Sequence, residues 1–243
     1  VRSTPGGPKL AGQPFEQPVT QGSIFRQRVI GEDDLLIGVS GAHPTLDILA
    51  GPVQDQTTAY RSFAVGFLKE PALPQAAMGY DALDLLVLNA PRLVDDGALH
   101  EQAIADWVAA GGNLLIWLAD EAVPTRSPIT RILPCEAGAL ENLTLPPAVV
   151  RSAGLSPDSA STRVRQLSPK PGARVHRLLD NHLTLITGRH GLGQVAVLSV
   201  NGSRLQFNDR DAALRFWRPI LEEGLRIPTE PLSGQGSANR GDV

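Results

Sequence analysis

The stretch from Gly79 to Asp120, GYDALDLLVLNAPRLVDDGALHEQAIADWVAAGGNLLIWLAD, constrains the fold more than any other part of the chain. Leu83 to Leu88 is a short unbroken apolar run, which suits a parallel strand covered on both faces. Asn89, Ala90 and Pro91 end it. Asp95 or Asp96 can then cap a helix in which Leu99, Ala103, Ile104, Trp107 and Val108 recur at helical spacing. Glu101, Gln102 and Asp106 fall on the other side of that helix, and His100 with Glu101 is placed toward solvent. Gly111 and Gly112 allow the chain to leave the helix through positive φ, and Leu114 to Leu118 follows at once as a second buried strand. Elements joined this tightly predict a βαβ unit with parallel strands and a right-handed crossover.

A chain of 243 residues, 42% of them hydrophobic, can bury one large α/β core. The core is expected over residues 29–227, between a Pro/Gly-rich arm or linker at 1–28 and a small, polar, disordered tail at 228–243. A net charge of -3 supplies no field that would gather nucleic acid or an anionic membrane surface. Cys135 is alone, which excludes an intrachain disulfide and a cysteine-based metal centre. The sequence opens at Val1 and shows neither a signal peptide nor an apolar run of transmembrane length. The expectation is therefore a piece of a longer protein, with any membrane anchor outside it.

Around the central unit, Ser23 to Ile30 reads as an edge strand, Leu35 to Ser40 as a buried strand, His43 to Ala50 as a short helix and Thr57 to Leu68 as a strand. Asp81 and Asp84 are placed to fix the turn before the central strand. From Glu121 to Ala173, prolines interrupt the pattern, and a long irregular or partly helical excursion is expected. Arg174 to Leu179, Leu183 to Thr187 and Gln194 to Val200 read as strands. GRHGLG, Gly188 to Gly193, is the turn of a hairpin between the last two: a strand follows it where a dinucleotide site requires a helix N-terminus. Asn208 or Asp209 caps a final helix that places Ala213, Leu214, Trp217 and Leu221 on one face, is kinked at Pro219 and ends at Gly224. Arg240-Gly241-Asp242 is an adhesion tripeptide by letters only.

The segments YDALDLLVLNAP, ADWVAAGGNLLIW and GLGQVAVLSVN together resemble the class I glutamine amidotransferase-like superfamily over roughly Leu35 to Leu225. That resemblance implies a flavodoxin-like fold: a doubly wound, mainly parallel sheet with helices on both faces and a late β-hairpin. Within the superfamily the chain is most similar to the non-catalytic domain found in extracytoplasmic parts of bacterial membrane proteins. Working amidotransferases carry a cysteine at a glycine-flanked elbow after the strand that follows the Gly-Gly stop. Here Leu114 to Leu118 runs into Ala119, Asp120 and Glu121, and no His-x-Glu pair follows late in the chain. The resemblance thus implies no catalytic triad and no glutaminase activity.

Other chemistries fit less well. Ser40 in GVSGAH lies near His43, but Gly41 stands one place too near for a serine elbow, so Ser40 reads as a polar strand end and His43 as a helix-start residue. His100, His176, His182 and His190 show no spacing that would hold a metal, and no metal or cofactor is expected. A small-molecule site in such a sheet lies beyond the carboxyl ends of its parallel strands. Ser40, His43, Asn89, Asp120, Glu121, Asn201 and Arg204 collect there as candidate ligand-binding residues. The expected role is an interaction or scaffold domain of a membrane-anchored bacterial protein displayed outside the cytoplasm, meeting a protein partner or neighbouring domains through the surface of 121–173. The alternative is a sugar-binding or sugar-processing domain resembling the trehalose-utilisation branch.

Overall fold

In the computed structural model the residues described are 34–40, 46, 48–49, 63–68, 73–89, 98–118 and 127–229. The N-terminal arm, the strand expected at Ser23 to Ile30, the start of the Thr57 strand, the Asp95 or Asp96 cap and the tail beyond Thr229 lie outside them. Four strands come first: β1 (Leu35–Ser40), β2 (Phe63–Leu68), β3 (Leu85–Asn89) and β4 (Asn113–Trp117). Next in the chain are β5 (Cys135–Thr144) and β6 (Ser161–Pro169), then β7 (Arg174–Leu178), β8 (Leu183–His190) and β9 (Gly193–Leu198). Seven of them form one sheet in the order β2-β1-β3-β4-β9-β8-β7. The first five in that order run parallel, and β8 and β7 extend the sheet antiparallel. The architecture is mixed α/β, with a mostly parallel seven-stranded sheet and antiparallel hairpins. As the central stretch requires, β3 and β4 are parallel neighbours, with Val87 opposite Leu115.

Two-residue alternation explains why these strands are apolar without interruption. Leu86 and Leu88 of β3, Leu114 and Ile116 of β4, and Val195 and Val197 of β9 enter one hydrophobic cluster. Leu85, Val87, Leu115, Trp117, Ala196 and Leu198 enter the other, on the opposite face. Helix α1 (Ala98–Ala110) covers the first face through Ala103, Ile104, Trp107 and Val108. It is left through Gly111, at φ 129°, whose N–H donates to the Val108 carbonyl at 3.0 Å. Gly112 is needed for a different reason: a Cβ there would lie 2.3 Å from the Trp107 ring.

The expected irregular excursion is corrected. After α2 (Pro128–Ile132), β5 and β6 form an antiparallel ribbon from Cys135 opposite Pro169 to Thr144 opposite Ser161, and α3 (Pro147–Ser152) lies between the two strands in sequence. The prolines punctuate these elements instead of breaking them. Pro134 precedes β5, Pro146 and Pro147 start α3, and Pro169 ends β6. Because many residues of both strands face solvent, they lack the apolar run that marks a buried strand. The ribbon is tied to the end of β9 where the Arg165 N–H donates to the Ser199 carbonyl at 2.7 Å and Val164 bridges Val200.

The GRHGLG segment is likewise mostly strand. Gly188 to His190 belong to β8 and Gly193 to β9, so the turn is only Gly191-Leu192, with Gly191 at φ 60° as a glycine-first hairpin turn demands. The final helix, α4 (Arg210–Pro219), is capped by Asp209, whose carboxylate accepts the Ala212 N–H at 2.7 Å. Pro219 has no N–H to continue the helical ladder, and the chain widens into a π turn over Ile220–Gly224.

Candidate functional site

The order β1-β3-β4-β9 sets four carboxyl ends side by side across about 14 Å, three interstrand spacings of ~4.8 Å. Ser40 closes β1 and is buried. Asn89 closes β3, paired in register with Trp117 of β4. Asn201 lies just beyond β9, also buried, and its carbonyl accepts the Arg204 N–H at 3.0 Å. That bond turns the chain through Gly202–Arg204 and leaves Arg204 exposed. The topology therefore brings Ser40, Asn89 and Asn201 to one edge, with Arg204 on its outer side. His43, Asp120, Glu121 and the side chain of Asn89 lie outside the described residues.

The expected solvent exposure of Glu101 is corrected. The residue sits in the first turn of α1, and only 4% of it is exposed. The cause is α2, whose Ile129 and Ile132 join the cluster containing α1 and roof over the helix start. Burial pushes the Glu101 carboxyl above its ordinary range, and hydrogen bonds from the Ser127 hydroxyl and the Ile129 N–H offset part of that shift. Its Oε2 has no hydrogen-bond partner among the described residues. The signal that could have exposed this arrangement is Ser127-Pro128-Ile129-Thr130. It forms a capping box in which Ser127 Oγ accepts the Thr130 N–H at 3.2 Å and the Thr130 hydroxyl oxygen accepts the Ser127 N–H at 3.0 Å.

Cys135 does not reach the edge as a nucleophile. It opens β5, is 2% exposed and packs in the α1-side cluster, and burial pushes its thiol up to about 11 against a smaller opposing pull from Lys170. Two of the histidines, His100 and His176, make hydrogen bonds within the fold. His100 Nδ1 donates to the Pro74 carbonyl at 3.2 Å, which the Tyr80 hydroxyl also reaches at 2.9 Å, and His176 Nε2 lies 3.1 Å from the Thr187 hydroxyl. Among the described residues no His, Cys, Asp or Glu cluster could hold a metal ion.

No protein-family model matches the sequence, and no curated protein does. Among solved structures, the cytoplasmic protein STM1381 of Salmonella typhimurium LT2 is similar at 14% identity and TM-score 0.47, over 79% of this chain and 99% of that one. The cytoplasmic protein STM3548 of Salmonella typhimurium is similar at 14% identity and TM-score 0.41, over 71% and 87%. Gan42B, a GH42 beta-galactosidase of G. stearothermophilus, matches at 12% identity and TM-score 0.42, over 77% of this chain but 29% of its own. The description of the first two as cytoplasmic runs against the expected display outside a bacterial membrane, and that expectation is withdrawn. No helix among the described residues is long and apolar enough to cross a membrane.

Proposed function

We propose that the chain is a non-catalytic, class I glutamine amidotransferase-like domain that works by binding a protein partner or neighbouring domain. Two features support the family reading. The parallel strands follow the order 2-1-3-4-5 when numbered along the chain, which is that of flavodoxin-like sheets, and helices cover both faces. The observation that carries the non-catalytic reading is Cys135. A nucleophile needs a thiolate at an exposed, electropositive elbow, and this thiol is buried in β5 with its proton held more tightly than usual. Incubation with glutamine should release no ammonia above the rate of a Cys135→Ala variant, and a cysteine-dependent rate would overturn the reading.

The partner surface in this proposal is the β5–β6 ribbon. Among the described residues β5 pairs on one side only, so its outer edge offers backbone donors and acceptors to an extended segment. A photo-reactive residue at Glu136 or Asn142, both exposed, should capture one recurrent partner, whereas the same residue at the exposed Leu192 in the β8–β9 turn should not. Equal capture from all three positions would end the ribbon assignment.

Glu101 supports a second reading, a small-molecule site of the sugar-binding kind. Glu101 is buried and its Oε2 has no hydrogen-bond partner among the described residues, so that oxygen can engage a ligand hydroxyl. A saturable rise in melting temperature with one member of a sugar panel, lost in Glu101→Ala and Asn201→Ala, would favour it. No shift across the panel would leave the scaffold reading alone.

A further inference from the structure

A concavity lies on the α4 side of the molecule next to edge strand β2. It is a recess of about 330 Å³ whose apolar lining includes Phe63 at the start of β2, Trp217 on α4 and Leu221 in the π turn. That volume is near the lower end of the ~300–1,000 Å³ typical of small-molecule pockets. Polar groups line it as well, and two are already engaged: Arg218 pairs with Glu222 at 2.9 Å, and the Thr229 hydroxyl donates to the other Glu222 carboxylate oxygen.

Asp211 and Arg215 are different. Both line the recess, one helical turn apart on the same side of α4, yet no ion pair joins them and neither has a hydrogen-bond partner among the described residues. At i, i+4 spacing their Cβ atoms stand about 5–6 Å apart. Trp217 adds an independent sign of a missing partner: it lines the same recess, is 1% exposed, and its Nε1–H has no acceptor among the described residues. Buried indole N–H groups ordinarily find one.

We propose that this recess binds a free α-amino acid with an apolar side chain. The Arg215 guanidinium takes the carboxylate and Asp211 the ammonium. An α-amino acid carries these two charges on one carbon, which suits two opposite charges a single helical turn apart. The side chain rests on Phe63, Trp217 and Leu221, and the Trp217 N–H faces a ligand oxygen. A simple anion fits less well, because Asp211 would repel it, and a simple cation would meet Arg215. The inference is independent of the ribbon and of the carboxyl edge.

The test is calorimetric titration of the full chain with L-phenylalanine and L-leucine, with 3-phenylpropionate and phenethylamine as ligands lacking one charge. Saturable binding of an amino acid with a change in tryptophan emission is expected. Removing a charge from the ligand, or from the protein by Asp211→Asn or Arg215→Gln, should weaken binding about tenfold or more for each change. Trp217→Phe should lose the emission change while calorimetric binding persists. Both charge variants alter exposed side chains and should keep the parent circular dichroism. No heat with either amino acid at millimolar concentration, equal affinity for 3-phenylpropionate, or unchanged affinity in both charge variants would each overturn the proposal.

Discussion

The carboxylate of Asp84 accepts the Leu36 backbone N–H at 2.8 Å, while the Asp84 N–H donates to the Leu36 carbonyl at 2.9 Å. One aspartate thus extends the β1–β3 pairing ahead of the start of β3 with its side chain. Its own carbonyl also receives the Asn113 side-chain amide at 3.1 Å, which ties in the start of β4. Three central strands are pinned at their amino ends by this residue.

Asp84→Ala should therefore leave the Leu36 N–H without its partner and cost about 1–3 kcal/mol. Asp84→Asn keeps a neutral acceptor and should cost less. Urea unfolding at neutral pH measures both, and equal stability of wild type and Asp84→Ala would show that the bond contributes nothing net.

Asp84 was expected to fix the turn before β3, but its carboxylate bonds Leu36 of β1, a partner 48 residues away that no local pattern reveals. β3, α1 and β4 were legible, because apolar runs and a Gly-Gly stop leave little freedom. The ribbon was not legible, since strands such as Glu136 to Asn142 face solvent and pair only with residues some 20 to 30 positions away, which no local periodicity records. Glu101 was misplaced for a related reason. Helical spacing assigns it a side of α1, but whether that side is wet depends on α2, which arrives from beyond β4. The carboxyl edge was predictable from topology, and Ser40, Asn89 and Asn201 meet there. The α4 recess was missed because Asp211 and Arg215 look like ordinary solvated helix charges until Phe63 and Trp217 are seen beside them.

Gly202 lies against the face of Trp117, and a Cβ at that position would be 2.5 Å from the indole ring. Trp117 cannot retreat freely, since its ring centroid is 5.8 Å from that of Trp217, which in turn meets Phe216 edge-on at 6.0 Å. Gly202→Ala should cost about 1–3 kcal/mol through overpacking. It should also alter the near-ultraviolet circular dichroism of the tryptophans while the far-ultraviolet spectrum stays unchanged. A stable variant with an unaltered tryptophan signal would mean that the turn after β9 moves instead.

Cys135 should resist iodoacetamide in the folded chain at pH 8 and react once the chain is unfolded. Burial raises the thiol to about 11 from the ordinary value of 9.0, so the thiolate is scarce as well as shielded. The same shift predicts a loss of stability at high pH: the neutral thiol's contribution is complete below the unfolded value and disappears as pH rises through about 11. Mass spectrometry after timed alkylation checks the first statement, and rapid labelling of the native chain would refute it.

Glu101 gives the folded chain an acid-side stability term of opposite sign to that of most carboxylates. Burial, its largest influence, disfavours the charged form and raises the folded value above the ordinary 4.5. The folded chain then holds this proton more tightly than the unfolded chain. The resulting contribution is complete below about 4.5 and is lost as pH rises through the folded value. Glu101→Gln keeps an acceptor for Ser127 and Ile129 but carries no charge to desolvate. It should melt no lower than wild type at pH 8, and the wild-type advantage from mild acidification should vanish in it. Parallel melting curves across pH 4 to 8 decide the matter. A variant that loses several degrees at pH 8 while wild type shows no gain on acidification would mean that Glu101 is held as a carboxylate.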